Sequence, residues 1–322
     1  VAGVFDLNAD TARKLARDFD VPTVHASLDD AIAACGTDGV FDIALPPEAV
    51  PATVGRLPRG ASALIQKPLG PDGSAARRVV HELDSRGIVA ATNFQLRFTP
   101  SMLAIGDAAE KGLFGEIVDV DVHLCVYMPW ELWSFIPKLD AVEIPLHSIH
   151  YLDWIRGLLG EPRSVYARSV KHPRYAGQAD ARSSIILDYG DSIRCSLTLN
   201  HTYAHGPRHT EATIRVEGMK GAAHLHIGYL MDYLKPQPER LEICHDGQPW
   251  AELPLAGERA PDSFAYVMAN LQRFAAGEDT RLVTNVRDSL KTMLLVDAAL
   301  KSSRQGGVVP EAPGPDGGGD GP

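Results

Sequence analysis

The stretch Leu64-Ile65-Gln66-Lys67-Pro68-Leu69 ends an apolar run with a Gln-Lys-Pro step, and about 80 residues later comes His147-Ser148-Ile149-His150-Tyr151-Leu152-Asp153. The apolar run has the pattern of a buried strand, and the second stretch has that of a helix. A lysine at the carboxyl end of a parallel strand points into the crevice where ligands bind in open α/β sheets. We therefore expect Lys67 to face a ligand crevice.

Outward from Lys67, the first 95 residues alternate between strand-like and helix-like segments. Apolar strand patterns cover 1–6, 21–24, 39–45, 61–66 and 88–94, and helical patterns cover 11–19, 28–35, 50–57 and 74–87. We expect Asp10 to cap the first helix. Strands that alternate with helices of this length predict a doubly wound parallel sheet.

The pattern changes after residue 95 to longer runs with period-2 alternation and short turns. These runs cover 116–128, 164–170, 183–189, 192–200, 213–217 and 222–227, with helical patterns at 100–111, 149–159, 263–276 and 286–303. Alternation of this kind predicts a large, mainly antiparallel open sheet in an α+β domain. We predict one domain over 1–95, a second over 96–310, and a disordered Gly-, Pro- and Asp-rich tail over 311–322.

Composition narrows the class of protein. The chain has 322 residues, 45% hydrophobic and 22% charged, with a formal net charge of −10. This charge argues against nucleic acid as a partner, and no apolar run is long enough to span a membrane. The four cysteines form no C-x-x-C pattern, so we expect reduced thiols in a cytoplasmic protein and no bound metal.

The Lys67-Pro68 step, the His150-x-x-Asp153 step and the stretch Phe94-Gln95-Leu96-Arg97-Phe98-Thr99-Pro100 together resemble the Gfo/Idh/MocA family. The resemblance implies a Rossmann-type dinucleotide-binding domain followed by a substrate-binding α+β domain. It also implies an NAD-dependent oxidoreductase that moves a hydride between nicotinamide and a secondary alcohol or ketone. The expected partner is a sugar, polyol or related small molecule, and the open sheet is expected to make a homo-dimer or homo-tetramer.

The cofactor residues follow from this resemblance. Asp6 fits the acid that binds the adenosine ribose and favours NAD over NADP, because a carboxylate repels a 2′-phosphate. The other residues expected to contact the cofactor are Leu45, Pro46, Gln66, Lys67 and Gln95. A simple turn or helix-capping role is the alternative explanation for an acidic residue at position 6.

The resemblance assigns catalysis to Lys67 and His150. Histidine has an unperturbed pKa of about 6.5, which suits it to accept a hydroxyl proton. Many family members carry an Asp four residues before this histidine, where this chain has Leu146. His147 shares a helical face with His150 and is expected either to bind substrate or to orient His150, while a capping or packing role is equally compatible with its position.

Four residues are candidates for substrate binding: Arg97, Trp133, His147 and His201. For Arg97, the alternative to substrate binding is a structural interdomain role. For Trp133, the alternative is core packing. His201 ends a strand-like run that could project polar groups into the pocket.

A family member places G-x-G-x-x-G glycines about 20 residues before the ribose-binding acid, and no such motif occurs in this sequence. We expect this chain to lack the first strand, phosphate loop and first helix, and to bind cofactor weakly. Two alternatives stay open: a ligand-sensing or structural homologue without turnover, and an NAD-assisted lyase or glycosidase.

Overall fold

A computed structural model describes residues 1–132, 136, 139, 141–173, 180–230, 237–257 and 259–308. The first half contains a three-stranded parallel sheet of order β1-β2-β3. Its strands are β1 Val40–Ile43, β2 Ser62–Ile65 and β3 Val89–Thr92. The helices of this half are α1 Ala9–Asp18, α2 Leu28–Cys35, α3 Val50–Val54 and α4 Gly73–Ser85. The predicted doubly wound parallel sheet is confirmed.

Near the start of the chain, the structure differs from the sequence pattern. The segments at 1–6 and 21–24 are joined by one parallel bridge between Val4 and Val24 rather than by full strands. Asn8, not Asp10, caps α1, because its side-chain oxygen accepts from the amides of the first turn. Asp10 lies inside that turn, where a negative charge is still favourable to the helix dipole.

The second half is built on an eight-stranded sheet of order β11-β10-β9-β8-β4-β7-β6-β5. Its strands are β4 Ile117–Cys125, β5 Ser164–Val170, β6 Arg182–Asp188, β7 Arg194–Asn200, β8 Glu211–Gly218, β9 Gly221–His226, β10 Arg240–His245 and β11 Ala251–Leu253. All neighbours pair antiparallel except β4 and β7, which run parallel. The predicted mainly antiparallel sheet is confirmed, and burial alternates along β6, β7 and β8 as the period-2 pattern requires.

Two late helices return to the first sheet. They are α7 Asp262–Ala275 and α8 Val286–Gln305; the other helices of this half are α5 Pro100–Glu110 and α6 Ile149–Leu159. Val267 and Leu271 of α7 pack with Leu64 and Ala91 of the parallel sheet, and α8 contacts β3, α4, α6 and β5. Residues that follow the predicted boundary at 95 thus help to cover the parallel sheet.

Two further expectations are that the cysteines are reduced and that no segment spans a membrane. All four cysteines are free thiols. Among the residues that the structure describes, no helix is long and apolar enough to cross a bilayer. The predicted tail at 311–322 lies outside the described residues.

Candidate active site

Lys67 lies just beyond the carboxyl end of β2, as the sequence predicts. Its Nζ donates a hydrogen bond to the backbone carbonyl of Leu146. Burial lowers the pKa of Lys67 to about 8, because the ammonium is removed from water. The contact joins the parallel sheet to the segment that leads into α6.

That segment places two histidines near Lys67. Residues Ile144–Ser148 form one π-helical turn that continues directly into α6. Burial lowers the pKa of His150, and the positive charges of Lys67 and Arg259 lower it further. Burial also lowers the pKa of His147, and the charges of His201 and Lys67 lower it further. Both imidazoles are therefore neutral near pH 7 and able to accept a proton.

His150 is buried and packs against an aromatic ring. The residue is 8% exposed and lies edge-on to Phe94, with ring centroids 6.3 Å apart. Within the described residues, its buried Nδ1 has no hydrogen-bond partner. An unpaired buried nitrogen beside a lysine is the arrangement expected of a group that awaits a ligand.

Arg259 and Tyr151 complete this side of the site, and the sequence analysis identified neither. Burial raises the pKa of the Tyr151 hydroxyl, and a hydrogen bond and positive charge from Arg259 oppose that shift. Arg259 lies more than 100 residues beyond Tyr151 in the sequence, and no motif in the sequence links the two.

A second group of buried polar residues lies behind His147. Glu143 is fully buried and accepts hydrogen bonds from Ser148 Oγ at 2.8 and 2.9 Å. His201 Nδ1 is 3.9 Å from Glu143 Oε1, and the His201 ring centroid is 4.3 Å from that of His147. Trp130 lies edge-on to His147 at 4.9 Å. His147 and His201, both predicted, are thus brought together, whereas Glu143 was not predicted.

The expected cofactor residues lie at or near the ends of the parallel strands. Leu45 and Pro46 follow β1 and are exposed, and the Gln66 side chain hydrogen-bonds Asp42 of β1. Gln95 begins a 3₁₀ turn after β3. Asn93, which the sequence analysis missed, is 2% exposed, donates its backbone N–H to Ile65 at 2.8 Å, and has no partner for Oδ1 among the described residues.

Asp6 follows a segment that bridges to Val24 and is not a strand of the three-stranded sheet. It is exposed, and its carboxylate accepts the backbone N–H of Asn8 at 2.7 Å. This bond accounts for its turn role, and one carboxylate oxygen is left for other partners.

Arg97 is committed to an ion-pair network with α6 and α8. Its Nε is 2.6 Å from Asp153 Oδ2, and its Nη2 is 3.0 Å from Asp288 Oδ2. Asp153 also accepts from Thr292 Oγ1 at 2.8 Å. These contacts favour the interdomain role for Arg97 over substrate binding. Trp133 lies outside the described residues.

In the part of the chain that the structure describes, no group of His, Cys, Asp or Glu is arranged to hold a metal ion. After His201, His205 lies outside any helix or strand, and His209 ends the 3₁₀ segment Pro207–His209.

Solved structures with the same fold include two oxidoreductases. An oxidoreductase from Agrobacterium radiobacter, crystallised with NAD+, L-tartaric acid and magnesium, superposes with a TM-score of 0.76 at 21% identity, over 94% of this chain and 88% of that chain. Levoglucosan dehydrogenase, in complex with NADH and levoglucosan, gives a TM-score of 0.76 at 17% identity over the same shares. The chain therefore shares the two-part, Rossmann-type fold of these solved structures.

Sequence comparisons agree with this fold. Residues 102–224 match the model described as the GFO/IDH/MocA C-terminal domain. D-apiose dehydrogenase from Rhizobium rhizogenes is 25% identical over 257 residues, which are 77% of this chain and 71% of that protein. Matches to the curated relatives cover 39 to 71% of their lengths. Over residues 102–224, the chain is thus similar to the C-terminal domain of the Gfo/Idh/MocA family.

Proposed function

We propose that this chain is an NAD-dependent oxidoreductase that transfers a hydride between nicotinamide and a secondary alcohol or ketone of a sugar, polyol or related compound. The observation that carries this proposal is the meeting of Lys67, from the end of β2, with the His147–His150 segment at the start of α6. The names of its relatives, D-apiose dehydrogenase among them, support the substrate class.

The residues at the sheet edge fit the nicotinamide half of such a cofactor. Asn93 Oδ1 is a buried acceptor without a partner in the described part of the chain, and a bound ligand is the usual way to satisfy such an atom. Leu45, Pro46, Gln66 and Gln95 would line the same edge. When bound, the nicotinamide supplies or takes up the hydride.

Lys67 and His150 handle the proton. An ammonium has three N–H donors; Leu146 takes one, and the others are available to orient the substrate oxygen and favour its alkoxide character. His150, kept neutral by burial and by Lys67, accepts the hydroxyl proton during oxidation and returns it during reduction. His147 and His201 border the same space and are proposed to contact substrate.

Asp6 supports NAD rather than NADP as the cofactor. It is an exposed acid after the first apolar segment, and its charge would repel a 2′-phosphate while it accepts from ribose hydroxyls.

We also propose a homo-dimer or homo-tetramer formed through the outer face of the large sheet. Tyr166 of β5 and Ile186 of β6 form a directly paired position on that face and are 62% and 53% exposed. Light scattering of the eluting protein would show a single mass of two or four chains, and Ile186→Glu would shift it to one.

The test of function is NADH formation, followed at 340 nm, with a panel of pentoses, anhydrosugars and polyols. Lys67→Met and His150→Gln should each lower kcat by about 10²-fold or more. Lys111→Met and His81→Gln, at exposed positions, serve as matched controls. Full activity in both site variants would overturn the proposal. Ligand binding without turnover would identify a sensor, and product without net NADH change would identify a lyase.

A further inference from the structure

The polar residues behind His147 form a buried group that the proton chemistry of Lys67 and His150 does not use. We call Glu143, His201, Trp130 and His147 the Glu143 cluster. Glu143 and His201 are each 0% exposed, and Trp130 is 3% exposed. Buried carboxylates and imidazoles are costly unless they are paired, so their presence together needs a physical reason.

His201 is the least satisfied member. Among the described residues, neither of its ring nitrogens has a hydrogen-bond partner, and the same is true of Trp130 Nε1. A neutral imidazole carries one donor and one acceptor. The Glu143 carboxylate, 3.9 Å from His201 Nδ1, is an acceptor that a shift of about 1 Å brings within hydrogen-bond range. A proton on Nδ1 would leave His201 Nε2 as the acceptor.

The cluster reaches the catalytic groups through His147. The His201 and His147 rings are 4.3 Å apart between centroids and tilted by 54°. His147 directly follows Leu146, whose carbonyl holds Lys67. The His201 ring thus lies between the Glu143 carboxylate and His147.

The charged and titratable groups that face this path come from several elements. Glu143 faces Asp180, Ser148, Ser183 and His201. His147 faces His201, Lys67, His150 and Arg259. Asp180 accepts the backbone N–H of Val142 through its side chain at 3.0 Å and is half-buried.

We infer that Glu143 is a positioning residue of this site. With His201 it forms one buried proton-holding pair that fixes the tautomer and the proton affinity of His147 beside Lys67 and His150. This role rests on the proposed function for its purpose, but the pair itself is testable in the free protein.

The first experiment is a histidine NMR titration of the full chain without cofactor, with His147 and His201 signals assigned by His147→Gln and His201→Gln. Burial raises the pKa of Glu143 to about 7, so both imidazoles should show a chemical-shift inflection near that pH although they stay neutral. The inflection should vanish in Glu143→Gln and persist in Glu110→Gln, an exposed matched control. Its absence from the wild type, or its survival in Glu143→Gln, would overturn the inference.

The second experiment separates positioning from packing. Glu143→Gln retains the shape of the side chain and can still accept from Ser148. We expect kcat to fall about tenfold with KM changed less than twofold, and the kcat–pH profile to lose its step near pH 7. An unchanged profile would leave Glu143 a packing residue only. Because the NMR result does not depend on turnover, it stands or falls separately from the proposed reaction.

Discussion

Burial and neighbouring charge set the proton affinities of single residues in this site. Lys67 has a pKa of about 8 and Glu143 has a pKa of about 7. The pKa values of His147 and His150 lie well below the ordinary value for histidine. At neutral pH the site therefore holds a charged lysine beside two neutral imidazoles. Such a combination suits the proposed reaction, in which the lysine orients an oxygen and an imidazole accepts its proton without first releasing one.

Glu143 makes stability depend on pH. Its pKa is raised by burial from 4.5 in the unfolded chain to about 7, so the folded state binds more protons between these values. Stability from this group is fully present below pH 4.5 and is lost as pH rises through 7. The free energy of unfolding of Glu143→Gln, relative to wild type, should therefore increase by up to about 3 kcal/mol between pH 4.5 and 8.

Urea unfolding at several pH values measures this difference. Shifts of other groups cancel between the two proteins, and Glu110→Gln should give a flat difference. A flat difference for Glu143→Gln as well would contradict the buried-carboxyl account.

Asp6 predicts a change in cofactor preference. Asp6→Ser removes the charge that repels a 2′-phosphate, so the ratio of NADPH to NADH affinity should rise about tenfold, or about 1.4 kcal/mol. Fluorescence titration with both cofactors measures the ratio. Asp18→Ser, at an exposed position near the end of α1, is the control; an equal change there would remove Asp6 from the cofactor site.

Part of this site is predictable from sequence and part is not. Lys67 and His150 come from motifs whose strand and helix positions fix their direction, and both reach the same space. Glu143, Asn93 and Arg259 become visible only in the fold. Glu143 is a single acid in an apolar segment, and its burial depends on contacts with Ser183 and His201 that no local pattern specifies.

At the scale of elements, a buried ion-pair network joins the turn after β3 to α6 and α8. Arg97, 9% exposed in its side chain, bonds Asp153, 1% exposed, at 2.6 Å. Arg156 joins the network through Glu161 and through Asp288. Asp153 and Arg156 lie in α6, whose first turn carries His150 and which directly follows the π-helical turn with His147. The network therefore holds the helix that positions the site.

Removing one member should be costly. Asp153→Ala leaves the Arg97 guanidinium buried without its main partner, and we expect a loss of about 3–5 kcal/mol in the free energy of unfolding. Arg194→Ala breaks a pair in which the arginine is 73% exposed and should cost far less, because water already solvates its charge. Urea unfolding of both variants measures these losses. Similar losses would mean that the buried network stabilises the fold no more than an exposed ion pair does.

The element predictions succeed where periodicity is strong. The alternation of β6, β7 and β8 gives both their type and their buried face, whereas the parallel pairing of β4 with β7 is not visible in either strand alone. The π-turn over Ile144–Ser148 before α6 is likewise not predicted by any local pattern, and its packing partners include α6 and α8.

Across the whole molecule, the late helices link the two halves. Met293 and Val296 of α8 belong to the same hydrophobic core as residues of both sheets, and α7 packs on the parallel sheet. Lys67 and His150 come from different halves, so this shared core fixes the distance between them. The sequence periodicity predicts α7 and α8 as helices but not the sheet that they cover, which is decided by contacts distant in sequence.

The central claim is that Lys67 and His150 support hydride transfer from a carbinol carbon. The direct measurement uses a polyol deuterated at that carbon, with NAD, and mass spectrometry of the recovered cofactor. The account predicts deuterium in the nicotinamide with the wild type and about 10²-fold less with Lys67→Met, while NADH affinity changes less than threefold. Cofactor binding without deuterium transfer, or equal transfer by Lys67→Met, would contradict it.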